Sequence, residues 1–585
     1  MVTDDLDIAF APLGAYEQEY LPKYTRASAE LFDQMVANAD IDVDNNEVLN
    51  LRIAKASDEL TAQKSILRKQ QWQRVLAIIG GILSVAAPFI VQQIAISHGQ
   101  FLLWYGWLIA GVIAAALAGL AFRAVYLLTP LVRNAKAQVA ETTDRRDNYI
   151  AEARSGLAPL QQQYHWNMLD AISTQSVPGL ALERYVPISK QDDLAINYDL
   201  MNPIGPDSSV LATQGGTFHG NPFVIFHTLN FLMGWKTYTG SIVITWQEVE
   251  TYTDSNGRPQ TRVVTRTQVL TAAVDKPFPE YRQANFVVFG TENTPSLSFS
   301  RTPSKLSKLG ETKQAQRKVE RTVKKLEKKS RDINPNNNFT VMANRDFAAL
   351  FQATDRNDEI QYRVLFTPVA QQQMVELMRD NRLGYGDNFS FQKHGPIITV
   401  HPQHLSAAEL VAVPKPPPDA EENWNLAAQK TGFQHRSIKQ FKDRYFALAP
   451  IFAIPLLHEP RTTPAVPFEA TPSSWEQEAV ANQLRGAFRH PESITDDILK
   501  TRLLTEQDGV STVEVTAAGF RGVERVDYIP QFGRDNRMHM VPVPWVEYIP
   551  VSNTNKMTLT VPDGVADPPG HSANNGYRGI IPQIV

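Results

Sequence analysis

The stretch VLAIIGGILSVAAPFIVQQIAI, residues 75–96, and its neighbour FLLWYGWLIAGVIAAALAGLAF, residues 101–122, decide the architecture of this chain. Neither run carries a charge. At about 1.5 Å per residue each reaches roughly 33 Å as a helix, matching a bilayer core of about 30 Å. Only Ser97-His98-Gly99-Gln100 joins them, so the pair is expected as a tight antiparallel hairpin. The competing reading is a helical hairpin buried in a soluble core. Two full-length runs without an internal charge argue against it.

Positive flanks orient the hairpin. Lys64, Arg68, Lys69 and Arg74 precede the first run, and Arg123, Arg133, Lys136, Arg145 and Arg146 follow the second. Both termini are therefore expected in the cytoplasm, with the turn outside. Trp104, Tyr105 and Trp107 suit the outer interface, and Trp72 and Tyr126 the inner one. Pro88 removes a backbone donor inside the first run, which favours a kink. Gln92 and Gln93 stand too near its outer end to argue for an ion path. Gly111, Ala115 and Gly119 are four apart on one face of the second, and such small residues let helices approach closely. They fit hairpin packing and oligomerisation equally.

The 585-residue chain as a whole is polar even with these runs included, with 20% charged residues, a net charge of -4 and a mean hydropathy of -0.26. Its near-neutral balance does not point to nucleic acid. There are no cysteines, which excludes disulfides, thiolate metal sites and cysteine nucleophiles. MVTDDLDIAF at the start has no basic region followed by an apolar run, so no cleavable signal peptide is expected.

The expected fold class is α+β. A two-helix transmembrane hairpin is extended by an antiparallel helical stalk and followed by mixed, sheet-rich cytoplasmic domains. Residues 1–45 read as an acidic segment with a helix around Tyr24–Asn38. Asp40-Ile-Asp42-Val-Asp44 resembles the start of a calcium loop. Asn45 stands at the glycine position and Leu51 at the twelfth, so Asp44 or Asn45 reads better as a helix cap. Residues 46–164 form the stalk and hairpin. Leu49, Ile53, Ala56, Leu60, Gln63 and Leu67 follow a coiled-coil spacing, and Val132, Ala135, Val139, Thr142, Tyr149 and Ala153 answer it after the membrane. Thr129-Pro130 reads as the cap of a new helix. Another helix is expected through Gln161–Ile172.

Residues 165–305 switch to a two-residue period and read as a mainly antiparallel β domain. Thr237–Tyr252 and Gln260–Ala273 are expected to pair around the turn Asp254-Ser-Asn-Gly257. Phe223–Phe226, Phe286–Phe289 and Leu297–Phe299 read as further strands. Residues 306–338 hold a basic helix closed by Asn334-Pro-Asn-Asn-Asn338. Its cations Lys318, Arg321, Lys324, Lys325, Lys328 and Lys329 suit anionic lipid headgroups. A merely solvated face reads as well, and no aromatics interleave as they would for nucleic acid.

Residues 339–412 read as a small α/β module, with a strand at Glu359–Phe366, a helix from Thr367-Pro368 to Arg379, and strands at Phe389–Phe391 and Ile397–Val400. Here Phe347-Ala-Ala-Leu-Phe351, Asp355-Arg-Asn-Asp-Glu359 and Arg363-Val-Leu-Phe-Thr-Pro368 are similar to a module in bacterial two-span membrane proteins of unknown function. NFLMGWKTYTG at 230–240 and YFALAP at 445–450 resemble the larger members from low-GC Gram-positive bacteria and mollicutes. The resemblance covers most of the chain after residue 60. It implies a helical hairpin before an α/β cytoplasmic region, and it implies no catalytic, cofactor or metal residues.

His401-Pro-Gln-His404 lacks the glutamate base and third ligand of a zinc helix, so loop histidines are the better reading. Residues 413–422 are a proline-rich linker, 423–561 a C-terminal α/β region, and 562–585 an irregular tail. Within 423–561, Tyr445–Leu457 reads as a buried strand or extended core segment, with a segment dipping into the membrane as the lesser alternative, Ser473–Arg489 and Ile494–Leu504 read as helices, and Val513–Val515, Val526–Ile529 and Trp545–Ile549 as strands. Signatures of phosphate loops, dinucleotide folds, hydrolases and kinases are missing. No cofactor is expected.

The sequence therefore favours a membrane-anchored, non-enzymatic scaffold or interaction protein. Its partners would be the lipid bilayer and either further copies of itself or other membrane or cytoplasmic proteins. A subunit of an oligomeric channel, sensor or transport accessory is the first alternative, and an enzyme with an unrecognised active site the second.

Overall fold

Asp42 opens the longest helix among the described residues: its Oδ1 accepts the Asn45 N–H at 2.9 Å, and Val43–Ser97 then runs unbroken for 55 residues. The cap is thus Asp42 rather than Asp44 or Asn45, because a cap must precede the first helical residue. A second helix, Trp104–Gly156, returns antiparallel to it. Pro130 lies inside this second helix and does not start a new one, while Thr129 Oγ1 donates to the Val125 carbonyl at 2.7 Å. In a helix this long, one missing backbone donor is outweighed by the bonds on either side.

The computed structural model describes residues 11–97, 104–165, 167–253, 258–309, 312–331, 339–405, 413–507, 509–561 and 580–585. The turn after Ser97, the Asp254–Gly257 turn, the Asn334–Asn338 break and the tail from Pro562 to 579 lie outside them. So do the side chains of Pro88, Gln92, Gln93, Trp104, Tyr105 and Trp107.

Two compact units form. One comprises Phe32–Gln163 and Lys415–Phe433, the other Met1–Leu31, Tyr164–Pro414 and Gln434–Val585. In the first unit the heptad stripes meet. Leu49, Ile53 and Ala153 share one cluster with Tyr149, and Thr142 Oγ1 donates to Gln63 Oε1 at 2.9 Å. Ala56, Leu60, Val132 and Ala135 are buried along the same seam. Burying such side chains contributes about 1.5–3 kcal/mol for each large one. The exposed Arg145–Glu59 pair at 3.8 Å adds little.

The second unit is built on two antiparallel sheets. We label the strands β1 (Leu180–Leu182), β2 (Ser208–Phe218), β3 (Asn221–Thr253), β4 (Pro259–Gly290), β5 (Ser298–Arg301), β6 (Phe389–His394), β7 (Ile397–Pro402), β8 (Ile498–Gln507), β9 (Val510–Phe532), β10 (Met538–Thr560) and β11 (Ile581–Ile584). The seven-stranded sheet runs β1-β2-β3-β4-β7-β6-β5, and the four-stranded sheet β11-β10-β9-β8. The first sheet therefore takes strands from both sides of the basic helix. Helix Ser474–Gln483 lies between the sheets. Its Trp475 and Ala479 join Val224, Phe226 and Val288, while Val480 and Ala481 join Leu499, Val513, Val515 and Leu559. Ser473 Oγ accepts the Glu476 N–H as its cap.

Several elements differ from the sequence reading. Glu359–Leu365 is a helix, not a strand, because Asp358 caps it through the Ile360 and Gln361 N–H groups. Tyr362, Leu365 and Phe366 then fall on one buried side at helical spacing. Tyr445–Leu457 is not extended: it is the buried end of helix Leu426–Phe452 and a following 3-10 turn, with Pro450 near the helix end. Residues 494–504 are not a helix, since β8 starts at Ile498 and pairs with β9. The Gln161–Ile172 helix is two pieces, Ala158–Gln162 and Asp170–Ser176. From residue 11 onward the N-terminal segment packs into the second unit's core: Tyr16, Tyr20 and Tyr24 are buried, and Tyr24 stacks on Phe441 at 4.1 Å.

The largest surprise is strand length. β3 and β4 have 33 and 32 residues, and β9 and β10 have 23 each, against about 5–6 in a common strand. Short apolar runs read as separate strands are stations along these four. The pairing expected around residues 254–257 is present, with Tyr252 opposite Gln260, and it continues to Phe223 opposite Phe289.

Candidate functional site

Three surfaces stand out. The first is the apolar part of the helix pair. The helices touch where Gly81 faces Ala121, since a Cβ built at Gly81 would lie 3.2 Å from the Ala121 Cβ. Beside this contact a groove of about 620 Å³ is lined by Ala77, Gly81, Val85, Ala118, Ala121 and Val125. Gly111 and Gly119 have open space where a Cβ would stand, and Ala115 is exposed too.

The remaining circumference is apolar and open. Val112 is 67% exposed, Leu120 63% and Phe122 75%, and Trp72 and Tyr126 are exposed as well. Among the described residues one helix, from Ile109 to Gly156, is long and apolar enough to cross a membrane, and its most apolar window is wholly unburied. The first run ends among residues whose side chains are not described.

The second surface is the basic helix, Lys313–Ser330, capped by Thr312, whose Oγ1 accepts the Ala315 N–H at 3.1 Å. Ala315, Val319, Val323 and Leu326 are buried, with Val319 and Val323 packed on Ala349. Helical spacing turns Lys318, Arg321, Lys324, Lys325, Lys328 and Lys329 outward, and all six are exposed. Lys329 Nζ also donates to the Thr354 carbonyl at 3.2 Å.

The third surface is a two-layered β arm, in which the distal halves of β3–β4 and β9–β10 pack face to face. Ile244, Leu270 and Ala272 meet Val541 and Val543 there, with Ile242, Trp246 and Ile529 around them. Nearer the base the opposite faces meet, with Phe231 5.3 Å from Phe520. Strands of this length carry enough right-handed twist to turn one hairpin over against the other. At the crossing Gly240 is obligatory, because a Cβ would overlap the Pro542 carbonyl. Lys276 ties the layers, 2.6 Å from Asp527 and 4.2 Å above the Trp545 ring. Its contact holds the Asp527 carboxyl below the usual range, helped by the Trp545 N–H. A cavity of about 300 Å³ at the arm base is lined by Phe231, Tyr281, Lys500, Phe520 and Pro550.

Buried charges are consistent with structural roles. Arg301 and Asp387 are paired at 2.6 Å with both side chains fully buried, and Arg301 also donates to the Phe389 carbonyl. Glu476 accepts from the Val186 N–H and the Thr213 hydroxyl, while burial pushes the neighbouring Glu478 carboxyl up despite Lys500 at 3.1 Å. Lys393 is buried with its Nζ donating to the Gly395 carbonyl, and burial lowers it to about 7. His401 and His404 have separate surroundings: His401 lies 5.6 Å from the Phe286 ring, whereas His404 stacks on Tyr385 at 4.0 Å. Among the described residues no group of three His, Asp or Glu side chains converges as a metal site.

No protein-family model, curated protein or solved structure matches this chain.

The sequence pointed to the first two surfaces and to the β3–β4 half of the third, but it missed the β9–β10 pairing. Its signal was present as alternation, Val526-x-Tyr528-x-Pro530-x-Phe532 answered by Met538-x-Met540-x-Pro542-x-Pro544. Prolines at every second place concealed it, because proline normally argues against a strand.

Proposed function

We propose that this protein is a membrane-anchored, non-enzymatic scaffold or interaction protein, fixed by a two-helix hairpin with its sheet-rich unit in the cytoplasm. One observation carries the reading: the open apolar circumference around Val112, Leu117, Leu120 and Phe122. A soluble protein rarely leaves a contiguous apolar surface of this extent in water. The basic residues at both inner ends favour the cytoplasmic side for the two long arms of the chain. The outward cations of helix Lys313–Ser330 add attraction to an anionic leaflet, at about 1 kcal/mol per charge near the surface. Extended β arms with exposed side chains suit binding to another macromolecule rather than chemistry on a small one.

The experiment is topology mapping in intact cells, made simple by the lack of native cysteines. Ser97→Cys should react with an impermeant maleimide from outside, and Ser255→Cys should react only after lysis. Labelling of Ser255→Cys in intact cells, or recovery of the protein in the aqueous fraction without detergent, would refute the proposal.

A further inference from the structure

The outward face of the β9–β10 arm is apolar over several successive rows. Tyr528 is 61% exposed, Phe532 63%, Met538 61% and Met540 52%, with Val526 at 48%. Register sets Phe532 opposite Met538, Tyr528 opposite Pro542 and Val526 opposite Pro544. No charged side chain interrupts these rows. Together they offer roughly 600 Å² of apolar surface, the upper end of what a monomer normally shows.

The prolines narrow what can dock. Pro530, Pro542 and Pro544 occupy alternate places in a ladder that keeps its register. Proline has no N–H, so these places are the ones whose donors would point away from the partner strand. The free edges thereby lack donors at Pro530 on β9 and at Pro542 and Pro544 on β10, which hinders strand addition there. The face is the better available surface.

Its two ends carry opposite charge. Glu524 stands exposed one row below Val526, and Arg534 and Arg537 stand exposed in the turn above Phe532. Asp535, the acid of that turn, points inward to His539 at 2.8 Å. A half-turn about the middle of the face, between Tyr528 and Pro530, exchanges position 524 with position 534.

We propose that this face binds the same face of a second copy of the chain, with the two arms antiparallel across a two-fold axis. Glu524 of each copy then meets Arg534 and Arg537 of the other, while the aromatic, methionine and proline rows interleave. Such pairing buries roughly 1,200 Å² in total, the lower bound for a specific interface. Tyr, Phe and Met are the side chains enriched in interface cores, and charges are depleted there. Other occupants fit less well. A bilayer would not select Glu524 at one end, and a strongly acidic or basic partner would find no matching charge along the rows.

The test uses the full-length chain in membranes or lysate of the expressing cell, so it does not depend on the membrane reading. Met540→Cys should give a covalent homodimer with a short bismaleimide. Thr265→Cys, exposed on the threonine-rich outer face of the other hairpin, should not. Glu524→Lys should reduce the Met540→Cys crosslink about fivefold or more, as should Arg534→Glu with Arg537→Glu. Combining all three reversals should restore it to within about twofold, which a misfolded variant could not do. Monomer alone at Met540→Cys, equal dimer at Thr265→Cys, adducts only of another mass, or no recovery in the combined variant would each overturn the proposal.

Discussion

Placing two carboxylates on the open side of the second long helix separates a membrane anchor from a soluble helical pair. Val112 and Leu117 are 67% and 51% exposed, so neither is needed to hold the helices together. Val112 lies near the middle of the 101–122 run. If that run spans a bilayer, an aspartate near its centre costs about 3 kcal/mol. Val112→Asp with Leu117→Asp then costs about 6 kcal/mol, a change of roughly ten-thousandfold in partition. If the run instead lies in water, each exposed substitution falls within about 0.5 kcal/mol of neutral and improves solubility. The assay is alkaline carbonate extraction of membranes from cells expressing either form, with thermal unfolding followed in parallel. The unmodified chain should stay in the pellet, and the double variant should move to the supernatant or be degraded. A double variant that pellets like the parent, or a parent found in the supernatant, would refute the reasoning.

Removing the charge of Lys318, Arg321, Lys324 and Lys325 together by glutamine substitution should weaken binding to phosphatidylserine vesicles by about 4 kcal/mol at low salt, with unfolding temperature unchanged, as read by vesicle co-sedimentation. Gly240→Ala should separate the two layers of the β arm and cost about 1–3 kcal/mol, visible as faster amide exchange at Val541 and Val543. Lys393→Met should stabilise the fold by about 2 kcal/mol at neutral pH in urea unfolding. Its folded pKa, near 7, lies below the unfolded value, so the unfolded state binds the extra proton between roughly pH 7 and 10. The native lysine's penalty is thus fully present below that window and fades as pH rises through it, and the gain from methionine should fade in step.

Legibility followed the range of the interactions. The helix pair was readable because apolar runs and heptad spacing are local, and the stalk contacts of Leu49, Ile53 and Ala153 follow from that spacing. The β3–β4 hairpin was readable at its distal end, where Asn-Gly and alternation lie close together. Helix Glu359–Leu365 was misread because seven residues give too few repeats to separate periods of 2 and 3.6, and Asp358 decided between them. Tyr445–Leu457 was misread because its prolines suggested extended chain, whereas Pro450 falls in the last turn of a helix that burial sustains.

By itself the sequence determined the α+β class, the two long helices, the antiparallel sheet character and the outward cations of the basic helix. These rest on periodicity and on backbone preferences that act within a few residues. Only the tertiary structure decided that β3, β4, β9 and β10 run on as paired arms, that Gly81 makes a close helix contact with Ala121, and that Arg301 and Asp387 neutralise each other in the core. Each of those depends on which surfaces come together from distant parts of the chain. Twist, burial and register are set by the partner, and a single strand or helix carries no record of who that partner is.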